Sequence, residues 1–291
     1  MTSVAELLSS TTGVAGGAMQ RLGPTVRRHG AKEQGAIFAT AAKVAGKRLA
    51  GRFTGHPEPA TMKLLDYTVT APSTWDLMYL FTNVFVRQEY YFETPSKRPF
   101  IVDCGGNIGM ATLYFKWLYP EADVITFEPD PLIFGLLEQN IRGNDVPGVQ
   151  LENAALFEVE GPLDFFVDRT AAGGLINSVN PLRGESEKLT VPGVRLSSYL
   201  DREVDFLKVD VEGAEHQVMR ELETSGALSG VKQLVMEYHH HIAAGEDRLG
   251  EMLGIMERAG FGYQIEAVKG PADPELFQDI MIVAYNKKLA S

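Results

Sequence analysis

From Pro99 onward, short apolar runs alternate with stretches whose apolar residues recur every three or four positions, the pattern of an open, mostly parallel sheet wrapped by helices. Strands are predicted over 100–104, 123–128, 149–156, 205–210 and 233–238, with helices over 110–118, 131–141, 213–222 and 245–259. Between the third and fourth strands, 163–167 and 189–194 read as a hairpin and 197–200 as a short helix. The last two strands, 262–267 and 279–285, are separated by Pro271 and Pro274 and read as an antiparallel pair closing the sheet. Upstream lie a strand-like stretch over 64–69, an apolar-periodic helix over 73–87 and the aromatic cluster Tyr90-Tyr91-Phe92. The fold class that follows is α/β.

Gly55-His56-Pro57-Glu58-Pro59 punctuates this pattern, since paired prolines oppose both helix and sheet. Three regions result: a basic, Ala/Gly-rich N-terminal helical segment over 1–59, a lead-in strand and helix over 60–98, and the main domain over 99–288. Residues 1 to 52 hold eight Lys or Arg against two acids, a local +6 that leaves about −17 for the remainder of a chain whose net charge is −11. In the stretch 35–52, Lys43, Lys47 and Arg48 fall on one helical face, while Ile37, Phe38, Val44 and Leu49 offer an apolar side. This helix is read as packing on the main domain or on a second subunit of a homo-oligomer, with contact to a membrane surface or an anionic substrate as the alternative.

The 291 residues suffice for one large domain, or one domain with an appendage, and 45% hydrophobic residues suit a sizeable core. The acidic balance argues against broad nucleic-acid binding, which needs Lys and Arg against phosphates, and favours a small-molecule or saccharide partner. A single cysteine, Cys104, offers neither an internal disulfide nor a cysteine-rich metal site and reads as a small buried residue. No apolar run approaches the roughly 18 residues of a membrane span, and Glu6 stands where a signal peptide would be basic. The expected compartment is therefore the cytoplasm.

The first chemical signal is Asp103-Cys104-Gly105-Gly106-Asn107-Ile108-Gly109, a glycine-rich turn between a buried strand and a helix, where open sheets bind ligands. A dinucleotide fingerprint fails here, because the second and third glycine slots counted from Gly105 hold Asn107 and Met110. Charge points the same way. A carboxylate at Asp103 repels a pyrophosphate but attracts the ammonium and sulfonium of S-adenosylmethionine. Glu128 follows at the end of the second strand, where a carboxylate can accept both ribose hydroxyls, and Pro129 stops that strand. Asn153 and Ala154 are expected beside the adenine, the small residue leaving room for a flat ring.

The second signal is the pair of segments Lys208-Val209-Asp210-Val211-Glu212-Gly213-Ala214-Glu215 and Glu237-Tyr238-His239. Strand alternation sets Glu237 and His239 on one side, and neighbouring strands would bring them to Asp210 beside the methyl donor. His239, with Asp210 and Glu212, is the candidate catalytic group, the imidazole acting as general base toward an acceptor hydroxyl. Alternatively Asp210, Glu237 and His239 bind Mg²⁺ or Mn²⁺, or the cluster is structural. Glu215 reads either as part of this group or as a charge on the helix N-terminus. Arg195 and Lys208 read as salt-bridge partners or as a clamp for an anionic substrate.

Taken together, the region from about Phe81 to Asn286 resembles the FkbM family of methyltransferases. The resemblance rests on Val102-Asp103 through Gly109, Phe127-Glu128-Pro129, Asn140, Asn153-Ala154-Ala155-Leu156, Phe206 through Glu215, and Glu237-Tyr238-His239. It implies the class I methyltransferase fold, a seven-stranded Rossmann-like sheet with an antiparallel last strand, and O-methylation of a sugar, polyketide or related hydroxyl. The family commonly carries alanine where Gly106 stands. A cofactor-binding scaffold without turnover and a nicotinamide oxidoreductase are the competing functions.

Overall fold

The structure, a computed structural model, describes residues 30–54, 59–167, 177–178, 187–240, 248–267 and 278–289. These fall in two compact units, the first ending at Tyr91 and the second beginning at Phe92. In the first, helix α1 (Ala31–Thr54) buries Ile37, Thr40 and Val44, a three- and four-residue spacing that makes one stripe. Phe38 and Leu49, expected on that apolar side, are instead exposed, because each lies well round the helix from the stripe. The stretch expected as one strand over 64–69 is a hairpin, β1 (Ala60–Leu64) and β2 (Tyr67–Ala71), closed by the pair Leu64 and Tyr67. Its two-residue turn puts Leu65 at φ +52°, a conformation that the usual Asn or Gly signal would have announced. The predicted helix over 73–87 divides into α2 (Thr74–Phe81), capped by the Ser73 hydroxyl, and a π-helical turn, Thr82–Val86. Most of the connector at 55–59 lies outside the described residues.

In the second unit, β3 (Phe100–Cys104) is buried at every position, as a strand covered on both faces must be. Helix α3 (Met110–Leu118), β4 (Asp123–Phe127), α4 (Pro131–Arg142) and β5 (Val149–Glu152) follow. The strand predicted over 149–156 breaks at Asn153, whose side-chain amide donates to the carbonyls of Glu128 and Pro129. Past the break, β6 (Ala155–Leu156) joins a second, small sheet with β7 (Gly161–Val167), β8 (Asn177–Ser178) and β9 (Glu187–Val194), in the order β6-β9-β7-β8. The predicted hairpin is the antiparallel β7–β9 pair, and the short helix is a 3₁₀ turn at Leu196–Tyr199.

β10 (Val204–Val209), α5 (Glu215–Ser225), β11 (Val231–His240), α6 (Leu249–Arg258), β12 (Phe261–Ala267) and β13 (Gln278–Asn286) complete the main sheet, ordered β12-β13-β11-β10-β3-β4-β5. β13 runs antiparallel to both its neighbours and the remaining pairs are parallel, which meets the expectation of seven strands with an antiparallel last one. Consequently Cys104, Phe127, Val209 and His240 end their strands along one edge of the sheet. Among the described residues no helix is long and apolar enough to cross a membrane.

At that edge the turn after β3 is built by close backbone approach. Gly105 has φ +86°, and a Cβ there would stand 1.7 Å from the Asp210 carbonyl oxygen. A Cβ on Gly106 would stand 2.2 Å from Thr126 Cγ2, so the methyl group of a buried threonine on β4 fills the place an alanine would need. That threonine is tied by its hydroxyl to Thr112 at 2.8 Å, so a rotation that moves the methyl aside gives up that hydrogen bond. Gly106→Ala is therefore expected to destabilise the chain by about 1–3 kcal/mol in urea unfolding. Adding Thr126→Ser, which removes the methyl and keeps the hydroxyl, should recover most of it; equal losses in the single and double variants would refute the steric account.

Candidate active site

Asp103 was expected to meet the ligand directly. Instead it lies under the turn, 0% exposed, accepting from the Thr112 hydroxyl at 2.7 Å and standing 3.2 Å from Lys208 Nζ. The physical reason is register: β10 sets Lys208 directly opposite Asp103. The same ammonium stands 3.3 Å from Asp210 Oδ2 and donates to the Gly105 carbonyl at 2.7 Å. Burial alone lowers the lysine pKa, but Asp103 and Asp210 together outweigh it and hold the group above its ordinary value. Lys208 is thus a salt-bridge partner, and Arg195 also pairs, at 3.2 Å with Glu160. Cys104 is fully buried, with its thiol pushed up by that burial, and offers no nucleophile.

Above the turn opens a cleft of about 630 Å³, part of it open solvent. Of the residues singled out from sequence, Gly105, Asn107, Glu128, Pro129, Ala154, Asp210 and Glu212 line it. Asp103, Gly109, Asn153, Glu237 and His239 do not: Gly109 starts α3 at φ +90°, Asn153 holds the Glu128–Pro129 backbone, Asp103 lies under the turn, and Glu237 and His239 stand beside the cleft. Ile133, Leu156 and Phe165 complete an apolar wall that sequence reasoning missed. Phe165 reaches it from β7, and only the folding of the small sheet onto this edge could have revealed that.

Glu128 is 7% exposed and accepts the Asn107 amide at 2.9 Å on one oxygen and the Asp130 amide at 2.9 Å on the other. Burial raises its pKa to about 7; the Asp130 charge adds to this, and the two amides and Lys208 partly offset it. Asn107 takes φ +46° and caps its own turn by accepting the Ile108 amide at 2.7 Å. Buried Asn140 donates to the Ile108 carbonyl at 2.8 Å, which fixes the turn to α4.

Beside the cleft, β10 and β11 pair in parallel with Val209 opposite Met236, so the loop after β10 meets the end of β11. His239 is 6% exposed, with Nδ1 2.8 Å from Glu215 Oε1 and Nε2 3.4 Å from Glu212 Oε2 and 3.9 Å from Asp279 Oδ1. Burial lowers the imidazole pKa, but Glu215, Glu212 and Asp210 outweigh it and hold it well above the ordinary value. Glu237 is pushed up, by burial first and then by the Asp210 charge. The expected convergence of Asp210, Glu237 and His239 takes the form of two overlapping sets, Asp210 with Glu212 and His239, and Glu237 with His239 and Asp279. Within each set the potential ligand atoms lie within 4.8 Å of one another. Asp279 was not anticipated, because only the β11–β13 register, which sets it opposite His239, brings it here.

Residues 103–263 match the family described as the Methyltransferase FkbM domain. The chain is 31% identical over 169 residues to Methyltransferase 1 of Beauveria bassiana (strain ARSEF 2860), a match covering 51% of this chain and 68% of that protein. It is 29% identical over 199 residues to Methyltransferase sdnD of Sordaria araneosa, covering 57% of this chain and 76% of the other. Among solved structures, Methyltransferase FkbM from Methylobacillus flagellatus KT matches with a TM-score of 0.45 and 16% identity, over 73% of this chain and 54% of that one.

The geometry beneath the cleft makes Lys208 the sensitive position. Lys208→Met strands the buried Asp103 charge and is expected to cost about 3–5 kcal/mol in urea unfolding. Adding Asp103→Asn to that variant should restore part of the loss, whereas additive losses would show that the pair does not act as one unit.

Proposed function

Because the chain belongs to the FkbM methyltransferase family, we propose that it is an S-adenosylmethionine-dependent O-methyltransferase acting on a hydroxyl of a sugar, polyketide or related natural product. The methyltransferase class I fold is the frame for this reading. What carries it is His239, held by Glu215 with Nε2 toward Glu212, a residue of the cleft wall.

The cleft fits the cofactor on its own features. Each Glu128 oxygen accepts one backbone N–H and keeps lone-pair capacity for a ribose hydroxyl. Gly105 brings bare backbone to the ligand. Ile133, Ala154, Leu156 and Phe165 would offer a slot for the adenine, and Asp210, also in the lining, would offer negative charge to a sulfonium. Bound there, S-adenosylmethionine supplies an electrophilic methyl group. Asp103 acts at one remove, fixing through Lys208 the turn and the position of Asp210. His239 receives at Nε2 the proton that the acceptor hydroxyl sheds as its oxygen attacks. An imidazole whose proton affinity is raised by carboxylates loses its own proton, and so can receive another, only above the ordinary imidazole range, so turnover is expected to rise with pH at values above that range.

A second reading rests on the two ligand sets. Mg²⁺ or Mn²⁺ held by Asp210, Glu237 and His239, with Glu212 and Asp279 at hand, would offset the carboxylate repulsion that raises Glu237 and would lower the acceptor's pKa.

Calorimetry with adenosylhomocysteine is the first test, and absence of binding to the folded chain would sink the proposal. Because Glu128 is a carboxylate only above about 7, its acceptor strength falls as it takes up a proton. Affinity for adenosylhomocysteine is expected to drop roughly tenfold between about pH 8 and about pH 6; an affinity that is flat or rises over that span removes Glu128 from ribose binding. Turnover is then followed as adenosylhomocysteine release across a panel of methyl glycosides and phenolic and aliphatic alcohols. His239→Ala should lower kcat by roughly a hundredfold or more with adenosylhomocysteine affinity retained. Loss of turnover in EDTA and its recovery with Mg²⁺ or Mn²⁺ would select the metal reading, and indifference to EDTA would exclude it.

A further inference from the structure

Glu215 is the partner of the His239 ring, and it gathers contacts from two parts of the site. It is the first residue of α5, its side chain is 2% exposed, and three donors converge on its Oε1. These are the Gly213 amide at 2.9 Å, the Val211 amide at 3.3 Å and His239 Nδ1 at 2.8 Å. Glu215 therefore joins two parts of the site that come from different strands, the loop carrying Asp210 and Glu212 after β10, and the imidazole near the end of β11.

We propose that Glu215 is a positioning residue of the methyl-transfer site: by accepting from Nδ1–H it fixes the ring orientation of His239 with Nε2 toward Glu212 of the cleft wall, while holding the loop after β10 to that ring. The inference rests on the base role given to His239 and extends it to a residue that touches neither cofactor nor acceptor. The chemistry follows from imidazole itself. A neutral ring has one N–H and one lone pair, and a carboxylate that accepts from Nδ1 leaves the lone pair on Nε2. Because one oxygen serves both backbone amides and the ring, a displacement of the loop is also a displacement of the base. An acid that served only the helix N-terminus would have no need to reach a side chain 24 positions away.

The test uses the full chain saturated with adenosylhomocysteine. Glu215→Gln keeps an oxygen for the two amides and removes the charge that holds the ring. In the imidazole region of the proton NMR spectrum, the wild-type protein should show a hydrogen-bonded Nδ1–H resonance that His239→Ala eliminates and Glu215→Gln eliminates or moves strongly upfield. An unchanged resonance in Glu215→Gln overturns the proposal. Turnover with the most active member of the acceptor panel gives the second arm. Glu215→Gln should lower kcat roughly tenfold or more with KM for S-adenosylmethionine within about twofold. It should cause no further loss in a His239→Ala background, because it acts through that ring. An equal loss in both backgrounds marks a merely structural acid and also overturns the proposal. Wild-type turnover in His239→Ala would remove the base reading itself, whereas impaired His239→Ala beside unimpaired Glu215→Gln would remove only the role given to Glu215.

Discussion

One ammonium group organises the chemical edge of this molecule. Lys208 lies in the middle of a seven-stranded sheet, where an unpaired cation would cost several kcal/mol in lost hydration. It is tolerated because Asp103, Asp210 and the Gly105 carbonyl surround it. Each of those partners belongs to a different working part: the strand beneath the glycine turn, the start of the acidic loop, and the turn itself. The cleft floor and the acidic edge are thus arranged about a common centre, and the glycine at 105, which lets the Asp210 backbone come close, is the steric counterpart of the same arrangement.

The carboxylates at this edge separate by what holds them. Asp103 and Glu215 are buried and matched to donors, and they set the positions of other groups. Glu128, Asp210 and Glu212 line the cleft. Glu128 is partly in both classes, since backbone amides fix it while burial leaves its proton affinity high enough to respond near neutral pH. A uniformly acidic sequence pattern therefore resolves into buried, donor-matched carboxylates and cleft-lining ones only when burial and partners are known.

That difference explains what was legible in the sequence. β3, α3 and β4 are set by local pattern, and their bounds agree with it to within a residue, because a fully apolar run and a run of three- and four-residue spacing have few other solutions. Glu128 could be picked out because it ends the strand next to the turn, a relation that spacing encodes. The pairing of Asp103 is not legible in the sequence because its counter-ion lies in a strand far along the chain, and nothing local says which charge faces it. The same blindness hid Phe165, which depends on the small sheet, and Asp279, which depends on an antiparallel register. The break at Asn153 is not legible in the sequence because its side-chain amide donates to two backbone carbonyls just past β4, a use that no periodicity reports.

The pairing of β3 with β10 has a consequence for how the sheet finds its arrangement. Both strands are buried at every position, so neither carries the inside–outside alternation that normally tells a strand how to align. Polar marks stand at the two ends of their contact instead. At one end the Asp205 carboxylate accepts the Phe100 amide at 2.9 Å, and at the other Lys208 meets Asp103. A slip of one residue would point these groups to opposite faces and leave charge stranded in hydrocarbon, a far larger penalty than any misplaced methyl. The polar groups at the two ends of this contact thereby act as an alignment code for two otherwise featureless strands, and one of them, Lys208, also holds the turn beneath the cleft.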